Sequence, residues 1–422
     1  MYYKKLKAGA LQLTLGIIVV ITLLLASFLL LFHTNKQFSN QSKLIKETLE
    51  NANKGIEYVL MHGINAHDTT VVNLNDDDYK SLKIHKDYWG AFEKVTAVSN
   101  IKNNHFIKQA LVGASQPKQN RLTLYVEDNN KPLVLVGNTN IEGVAYLPKQ
   151  GVKTGNIAGH SYYGSQLIYG TTRTSNRLPK ILLEPINSLN NSTLGKEQQQ
   201  FIDIGKVRVH KNSFLNPEKA IYSNTDVFLS QISLTGHIKV VSKTRIIVDP
   251  SADLKDVVLM APEIEIKSYT KGTFQAIVTK KITMGEHCYL NYPSALILKE
   301  KKQFNANGQQ NNHEHPQIII GNNSYIKGVV GLIGEKTPNN YRPQMIIEEK
   351  ATVEGDVYCN MNIELKGTVF GSVFASNFVA NQAGSIYQNH IYNGTINISQ
   401  LPIQYVGLLF EDSEKSVAKW LY

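Results

Sequence analysis

The sequence predicts a mainly β protein in which an N-terminal transmembrane helix, a helical stalk and a small α+β region precede a long β-helix, or β-solenoid. Three observations support this prediction: an uncharged apolar run at the N-terminus, a following segment with helical spacing, and a glycine-punctuated repeat through the rest of the chain. The predicted segments are 1–33 (cytoplasmic tip and transmembrane anchor), 34–64 (stalk), 65–125 (small α+β region), 126–410 (β-solenoid) and 411–422 (C-terminal cap or docking segment).

The N-terminal apolar run predicts a membrane anchor. No charged residue lies between Ala8 and Phe32, and a helix of this length spans the roughly 30 Å hydrocarbon core of a bilayer. Lys4, Lys5 and Lys7 precede the run and favour a cytoplasmic N-terminus. The run reaches Phe32 without a small-x-small cleavage site, which disfavours a secretory signal peptide. We therefore expect a single-pass protein of a bacterial inner membrane, with its C-terminal bulk in the periplasm or otherwise outside the cytoplasm.

A second interpretation of the N-terminus rests on its leader. Lys7-Ala8-Gly9 followed by ALQLTLGIIVVITLLLASFLLLF resembles the leader junction of type IV pilin-like proteins. The resemblance implies cleavage after Gly9, a mature chain that begins at Ala10, and a role in a secretion or pilus-like machine. Thr14 occupies the fifth position after the cut, where most pilins carry a glutamate; atypical members, the large minor pseudopilins among them, lack this acid. A plain signal anchor is the alternative.

The segment after the anchor predicts an amphipathic helical stalk. Leu44, Leu49 and Ile56 recur near helical spacing with polar residues between them. Gly55 marks a point where this helix could bend. The small α+β region mixes strand-like pieces with polar turns, and its three successive aspartates, Asp76–Asp78, are expected in a solvated turn.

Glycine-punctuated apolar units recur through the rest of the chain. They have the form apolar-x-Gly-x-Val or close to it and begin at Ile141, Leu234, Ile326, Val353 and Leu365. Such a unit is typical of a solenoid, in which each short strand stacks on the equivalent strand one coil earlier and adds its inward side chain to one apolar column. A β-sandwich also has short strands at similar spacing. The glycines follow one another too closely for long sandwich strands, so we favour the solenoid.

Two polar interruptions of the repeat predict insertions, near 171–200 and 299–317. The second contains His313 and His315, which could form half of a metal site. Because no third ligand is nearby in the sequence, we expect these two histidines to be solvated.

Part of the repeat also carries a family resemblance. The stretch VEGDVYCNMNIELKGTVFGSVFASNFV from Val353 to Val379, and IKGVVGLIGE from Ile326, resemble the bactofilins, which are polymer-forming bacterial proteins. The resemblance implies a right-handed β-helix and the capacity to self-associate. This chain is longer than a bactofilin and is predicted to be anchored and exported, so the cytoskeletal role of that family is not implied.

Charge and cysteine content narrow the function classes. The 422 residues carry a net charge of +10, but the arginines are scattered and there is no long basic run, so nucleic-acid binding is not expected. Cys288 and Cys359 have no metal-binding spacing. They are either buried thiols or a disulfide between neighbouring coils. We predict neither a metal nor a cofactor.

The sequence predicts no catalytic residues. GxSxG, Walker A and HExxH motifs are missing from it, and His160 and His237 lack the six-residue repeat of acyltransferase solenoids. The chain is therefore predicted to be a non-enzymatic, membrane-anchored envelope scaffold or assembly subunit, with other envelope or secretion-machine proteins as partners and self-association possible. The alternatives are a large minor pilin-like subunit and, from another class, a β-helix that binds or cleaves envelope polysaccharide.

Two groups of aromatic and apolar residues are candidate contact sites. Tyr162, Tyr163 and Tyr169 cluster in the sequence, where they could contact a glycan or a partner chain. The last twelve residues have apolar positions at helical spacing and predict a helical cap or docking segment that uses Trp420 and Leu421.

Overall fold

Helix α1 (Gly9–Met61) is the first element of the computed structural model, which describes residues 9–72, 79–117, 119–191, 200–201, 207–301, 316–336 and 340–422. The predicted turn at Asp76–Asp78 and the histidines His313 and His315 lie outside these residues. The chain forms two units. The first comprises Met1–Glu57, Thr69–Ile84 and Ala97–Lys108, and the second comprises Tyr58–Asp68, His85–Thr96 and Gln109–Tyr422.

Within the described residues, the other elements are one short helix, α2 (Glu184–Asn191), and a long series of strands. The strands before α2 are β1 (Thr69–Val71), β2 (Lys80–Trp89), β3 (Phe92–Ile101), β4 (Asn104–Ser115), β5 (Leu122–Val126), β6 (Leu133–Val136), β7 (Asn140–Leu147), β8 (Val152–Thr154), β9 (Asn156–Ile157), β10 (His160–Ser161) and β11 (Tyr169–Thr174). The strands from α2 to the end of the longest ones are β12 (Gln200–Phe201), β13 (Val209–Asn212), β14 (Lys219–Ser223), β15 (Val227–Leu229), β16 (Ser233–Gly236), β17 (Ile238–Ser242), β18 (Arg245–Val248), β19 (Asp253–Ile266), β20 (Lys271–Met284) and β21 (Tyr289–Lys299). The remaining strands are β22 (Gln317–Ile320), β23 (Tyr325–Ile333), β24 (Met345–Ile347), β25 (Thr352–Leu365), β26 (Thr368–Phe370), β27 (Val373–Gln382), β28 (Ser385–Gln388), β29 (His390–Tyr392), β30 (Thr395–Asn397), β31 (Val406–Gly407) and β32 (Lys415–Trp420).

Helix α1 continues without a break through the predicted anchor and stalk. Gly55, where the sequence allows a bend, is instead a point of close approach: a Cβ built there would lie 2.9 Å from Leu82 Cδ1 and 3.0 Å from Ala97 Cβ. Ala52 and Ile56, which lie on the same side of the helix, are buried. The glycine therefore brings the helix close to β2 and β3 within the first unit, and α1 continues as one helix to Met61.

A six-stranded sheet has the order β1-β2-β3-β4-β31, and β32 also pairs with β4. The described part of 65–125 contains strands and no helix, so the predicted mixture of helix and strand in this segment is wrong. The stretch around Gly90 forms the ends of β2 and β3 and their two-residue connection. The Gln275 side chain holds this connection, because its Oε1 accepts from Ala91 N at 2.7 Å and its Nε2 donates to Trp89 O at 3.1 Å.

Most of the remaining strands form a closed, barrel-like sheet of predominantly parallel strands. Partners are not neighbours in the sequence. Lys219 pairs with Ile238, nineteen positions later, and Val353 pairs with Val369, sixteen positions later. Where β22 follows the second predicted insertion, Lys281 pairs with Gln317, thirty-six positions later. Some strands are thus hydrogen-bonded to a strand two or three places later in the chain, as β14 is to β17, whereas the long strands β19 and β20 each pair with the next strand.

The long strands are buried on both faces. Along β19, Val257 and Leu259 belong to the apolar interior of the barrel-like sheet, whereas Val258 and Met260 belong to a second apolar cluster on its outer face. The same alternation recurs at Ala276 and Ile277 and at later strands. Strands covered on both sides carry continuous apolar runs, which explains why stretches such as DVVLM and ALIL do not alternate with polar residues.

The order of strands in this sheet differs from their order in the chain. In this sheet the strands from β12 to β28, and then β30, follow one another in chain order. Strand β27 also pairs with β5, through Val373 and Leu124. Next, β30 and β5 both pair with β7, and β7 pairs with β11. The early strands β5, β7 and β11 therefore extend the stack beyond its latest strands.

The first predicted insertion is not simply a polar loop. Residues 171–174 complete β11, and 184–191 form α2. Leu178, Ile181, Leu183 and Ile186 pack with the outer apolar cluster of the barrel-like sheet. The segment therefore covers that outer face. The sequence did not predict this contact, because most residues of the segment are polar.

Candidate functional site

The first half of helix α1 presents a continuous apolar surface. Its side chains are exposed, as at Leu11 (74% exposed) and Phe28, and no charge interrupts them up to Phe32. Both threonine hydroxyls in this half are satisfied within the helix: Thr14 Oγ1 donates to the carbonyl of Leu11 at 2.9 Å, and Thr22 Oγ1 donates to the carbonyl of Ile18 at 2.6 Å. By length and composition, this helix is able to cross a membrane.

The predicted leader junction falls at the first residues that the structure describes. Gly9 and Ala10 both belong to α1, and both are exposed. A Cβ built at Gly9 would meet no described atom within 4 Å. Cleavage between Gly9 and Ala10 stays a prediction.

The second half of α1 has a different environment. Within the first unit, Glu47 Oε1 lies 2.7 Å from Lys80 Nζ of β2, and Asn51 Nδ2 donates to Ser99 Oγ of β3 at 3.1 Å. Together with the buried Ala52, these contacts attach this half of the helix to strands. One helix thus combines an exposed apolar half with a half that packs on a sheet.

The three candidate tyrosines have different surroundings. Tyr162 packs against the interior cluster, and its hydroxyl donates to the carbonyl of Gln166; burial raises the pKa of this hydroxyl. Tyr169 Oη lies 3.1 Å from Ser165 Oγ, and hydrogen bonding to Ser165 lowers the pKa of this phenol. Tyr163 is 60% exposed. Two of the three hydroxyls therefore order the loop between β10 and β11, and contact with a glycan or partner stays a prediction.

The C-terminal segment is a strand, so its predicted helical structure is wrong. In β32, Lys415 pairs with Ala114, and Trp420 pairs with Ala110, in antiparallel register with β4. Leu421 N donates to Gln109 O at 3.0 Å, and the Leu421 side chain packs with the outer apolar cluster. Trp420 is 48% exposed. Docking of another subunit through these two residues stays a prediction.

The chain end is held by a polar cluster that the sequence did not predict. Lys419 Nζ lies 2.5 Å from Asp256 Oδ1, and Tyr422 Oη donates to Asp256 Oδ2 at 2.9 Å. Trp89 Nε1 donates to the carbonyl of Asp256 at 3.1 Å, and Phe214 N donates to Tyr422 O at 2.8 Å. Burial, and then the Asp256 carboxylate, raise the pKa of the Tyr422 hydroxyl. Asp256 therefore joins the C-terminus and the β2–β3 connection to the barrel-like sheet.

His237 lies beside this cluster as a packing residue. Its ring contacts Trp89 and Phe214, with centroid distances of 4.7 and 5.0 Å, and its Nδ1 lies 2.9 Å from the Asn216 carbonyl oxygen. Burial, followed by the nearby Lys94 ammonium, lowers the pKa of His237 to about 4. The imidazole is therefore neutral at physiological pH, and its surroundings are those of a core residue.

A second buried carboxyl group, Asp356, holds residues 405–408 against the sheet. Its Oδ2 accepts from Leu408 N at 3.1 Å, and its own backbone N donates to Tyr405 Oη at 2.9 Å. Burial raises the pKa of Asp356 to about 7, although the Leu408 hydrogen bond and the Arg121 charge act in the opposite direction. Asp356 belongs to the repeat VEGDV, so the sequence placed it in a strand without showing that it would be buried.

Cys288 and Cys359 are both free and buried. Burial raises the pKa of the Cys359 thiol to about 12 and also raises that of Cys288. The two thiols are therefore unreactive small side chains in the interior, and the predicted alternative of a disulfide is not formed. Among the described residues, no group of three or more His, Cys, Asp or Glu could hold a metal ion.

No family model matches this chain, and no curated protein matches it. Among solved structures, the chain is similar to the crystal structure of the competence-associated pilin ComZ from Thermus thermophilus, with 8% sequence identity and a TM-score of 0.21. The similarity covers 89% of this chain and 96% of that chain. At this TM-score, the similarity supports no argument about fold or function.

Proposed function

We propose that this protein is a non-enzymatic, pilin-like subunit of an envelope assembly, anchored in a bacterial inner membrane by the first half of α1. The observation that carries the proposal is the division of one unbroken helix into an exposed apolar half and a half packed on a sheet. A core helix of a soluble protein would be buried along its length, whereas an anchor with a stalk needs these two environments in this order.

The leader junction gives the proposal its pilin-like character. The Gly9-Ala10 step resembles a pilin leader junction, and both residues belong to the exposed apolar half of α1. Removal of the basic leader there would leave the apolar half of the helix at the new N-terminus. The lysines before Gly9 favour a cytoplasmic leader, so the strands would lie outside the cytoplasm.

We further propose that the barrel-like sheet is a β-solenoid that the anchor presents to partners. Its support is the pairing of strands at intervals of sixteen, nineteen or more residues, with an unbroken apolar interior. In a solenoid, each coil pairs only with the coils next to it. A membrane-anchored envelope scaffold would use the same anchor and the same solenoid without cleavage of the leader.

N-terminal sequencing of the mature protein, expressed in a host that carries a leader peptidase of the pilin type, tests the pilin-like role. We expect the mature chain to begin at Ala10, and we expect Gly9→Val to keep the chain intact from Met1. Gly16→Ala, a change inside the same helix, is the matched control and should be processed normally. An intact Met1 in the wild-type protein would contradict the pilin-like role. It would favour the alternative, an envelope scaffold held in the membrane by an uncleaved anchor.

Cysteine labelling tests the topology separately. Ser165 is exposed in the loop before β11, and both native thiols are buried, so Ser165→Cys places one accessible thiol on the sheet. We expect a membrane-impermeant maleimide to label this variant in intact spheroplasts, and the wild-type protein to stay unlabelled as the control. Labelling that needs lysis would place the sheet in the cytoplasm and contradict the proposed orientation.

A further inference from the structure

Three amide side chains form a ladder across successive strands of the barrel-like sheet. Gln344 directly precedes β24, Asn362 lies in β25, and Asn377 lies in β27, where Asn362 and Asn377 are paired in register. Asn377 Nδ2 donates to Asn362 Oδ1 at 2.9 Å, and Asn362 N donates to Gln344 Oε1 at 3.1 Å. We call Gln344, Asn362 and Asn377 the amide ladder.

The amide ladder lines a surface cavity of about 270 Å³. Three buried polar atoms on residues that line this cavity have no hydrogen-bond partner in the described part of the chain: Gln344 Nε2, Asn340 Nδ2 and Asn377 Oδ1. Gln344 as a whole is only 1% exposed. A buried polar group without a partner costs about 1–3 kcal/mol, so two donors and one acceptor on the cavity-lining residues need partners that the described part of the chain does not supply.

The chemistry of the lining selects the kind of ligand. Seven of the twelve lining residues are Asn or Gln, and none is Asp or Glu. Of its two lysines, Lys336 pairs with Glu127, which also accepts from Ser376 Oγ at 2.6 Å, and Lys131 Nζ donates to Gln388 Oε1 at 3.3 Å. The cavity is thus rich in groups that both donate and accept, and a carboxylate neutralises one of its two lysines. Hydroxyl groups have the same dual capacity.

We propose that this cavity binds a carbohydrate, through hydroxyl groups that complete the hydrogen bonds of the amide ladder. Its volume lies just below the usual range of ligand pockets, roughly 300–1,000 Å³, and suits one or two sugar rings. Tyr341, which also lines the cavity and is partly exposed, offers an aromatic surface on which the apolar face of a sugar ring can lie. This site is separate from Tyr162, Tyr163 and Tyr169, and it does not depend on the pilin-like role.

Titration calorimetry of the full chain with triacetylchitotriose, maltotriose and cellotriose tests the carbohydrate site. The protein is held in a polyoxyethylene detergent, because maltoside and glucoside detergents would compete for the cavity. We expect at least one trisaccharide to bind with a Kd below about 1 mM. No binding of any of the three would overturn the proposal and leave a cavity that holds water only.

Two variants and one control locate the binding. Asn377→Val removes the unpartnered Oδ1 and should weaken binding at least tenfold. Tyr341→Ala changes only a partly exposed side chain and should weaken binding by a similar factor, so the test survives if the first variant does not fold. Asn397→Val removes an amide that contacts Glu142 at 2.7 Å outside the cavity, and it should bind like the wild type. Unchanged binding in folded Asn377→Val or in Tyr341→Ala would overturn the assignment to this cavity.

Discussion

Replacing Gly371 with Ala should destabilise the barrel-like sheet. Gly371 lies between β26 and β27, and its φ is outside the left-handed region, so alanine fits the local backbone there. In open space the change would stabilise a protein by about 0.4–1 kcal/mol, because it restricts the unfolded chain. Here, however, the new Cβ would lie 1.9 Å from the Gly355 carbonyl oxygen and 2.6 Å from its carbon, both backbone atoms of the neighbouring strand.

The size of the clash sets the expected magnitude. Contacts of a Cβ below 3.0 Å are essentially never seen, so the two strands would have to separate by about 1 Å. Overpacking of this kind costs about 1–3 kcal/mol and sometimes more. This outweighs the gain from the unfolded state, and we expect a net loss of at least about 1 kcal/mol.

Denaturant unfolding of the detergent-solubilised full chain, followed by near-UV circular dichroism, measures this loss. Gly63→Ala is the matched control, because Gly63 also has an ordinary φ and a Cβ there would meet no described atom within 4 Å. We expect the control to be as stable as the wild type or slightly more stable. If Gly371→Ala is also at least as stable as the wild type, the strands are not packed as closely as the structure indicates.

Three further substitutions test the interior and the two buried carboxyl groups. Val369→Asp places a charge in the fully buried interior and should lower the free energy of unfolding by several kcal/mol, about the penalty of an unpaired buried ion. Soluble yield and melting temperature measure this loss. Thr368→Asp, on the other face of β26, is the control and should fold. Asp356 has its pKa raised to about 7 from an unfolded value of about 3.9, so the native state binds more protons between these values and stability should fall as pH rises from about 4 to about 7. Asp356→Asn should flatten this dependence of the melting temperature, and an unchanged slope would show that another group causes it. Lys419→Met leaves the buried Asp256 carboxylate without its cation and should lower stability by about 1–3 kcal/mol, whereas equal melting temperatures would mean that the pair contributes nothing.

The apolar helix and the β-rich character could be predicted from local sequence, because each depends on residues close together in the chain. A run without charge from Ala8 to Phe32 needs no partner to become a helix in lipid. The units around Ile326 and Val353 likewise carry their strand pattern in a few residues, and these two residues are paired in register. Their inward side chains are buried, as the repeat predicts.

The predictions that were wrong concern segments whose conformation depends on strands far away in the sequence. The C-terminal segment has helical spacing, but the edge of β4 offers unpaired backbone groups, and pairing with Lys415–Trp420 satisfies them. Residues 171–200 were predicted to be a polar loop because they contain few apolar side chains. Those few, such as Ile181 and Ile186, are buried only because they pack on the outer face of a sheet formed by distant strands. The sequence contains a weak indication of the amide ladder, because Gln344, Asn362 and Asn377 are separated by about the same number of residues as paired strands are.

The stacking of early strands on late ones constrains how the chain can fold while it is made. Leu124 of β5 precedes its partner Val373 by 249 residues. At roughly 5–20 residues per second, the ribosome needs roughly ten to fifty seconds to supply that partner. Until then, one edge of the early strands is open to wrong partners, and an exported chain would carry this open edge across the membrane. Any ribosome that stops before Val373 leaves a product in which β5 lacks its partner β27, so damage late in the message also harms the part of the protein that was made first.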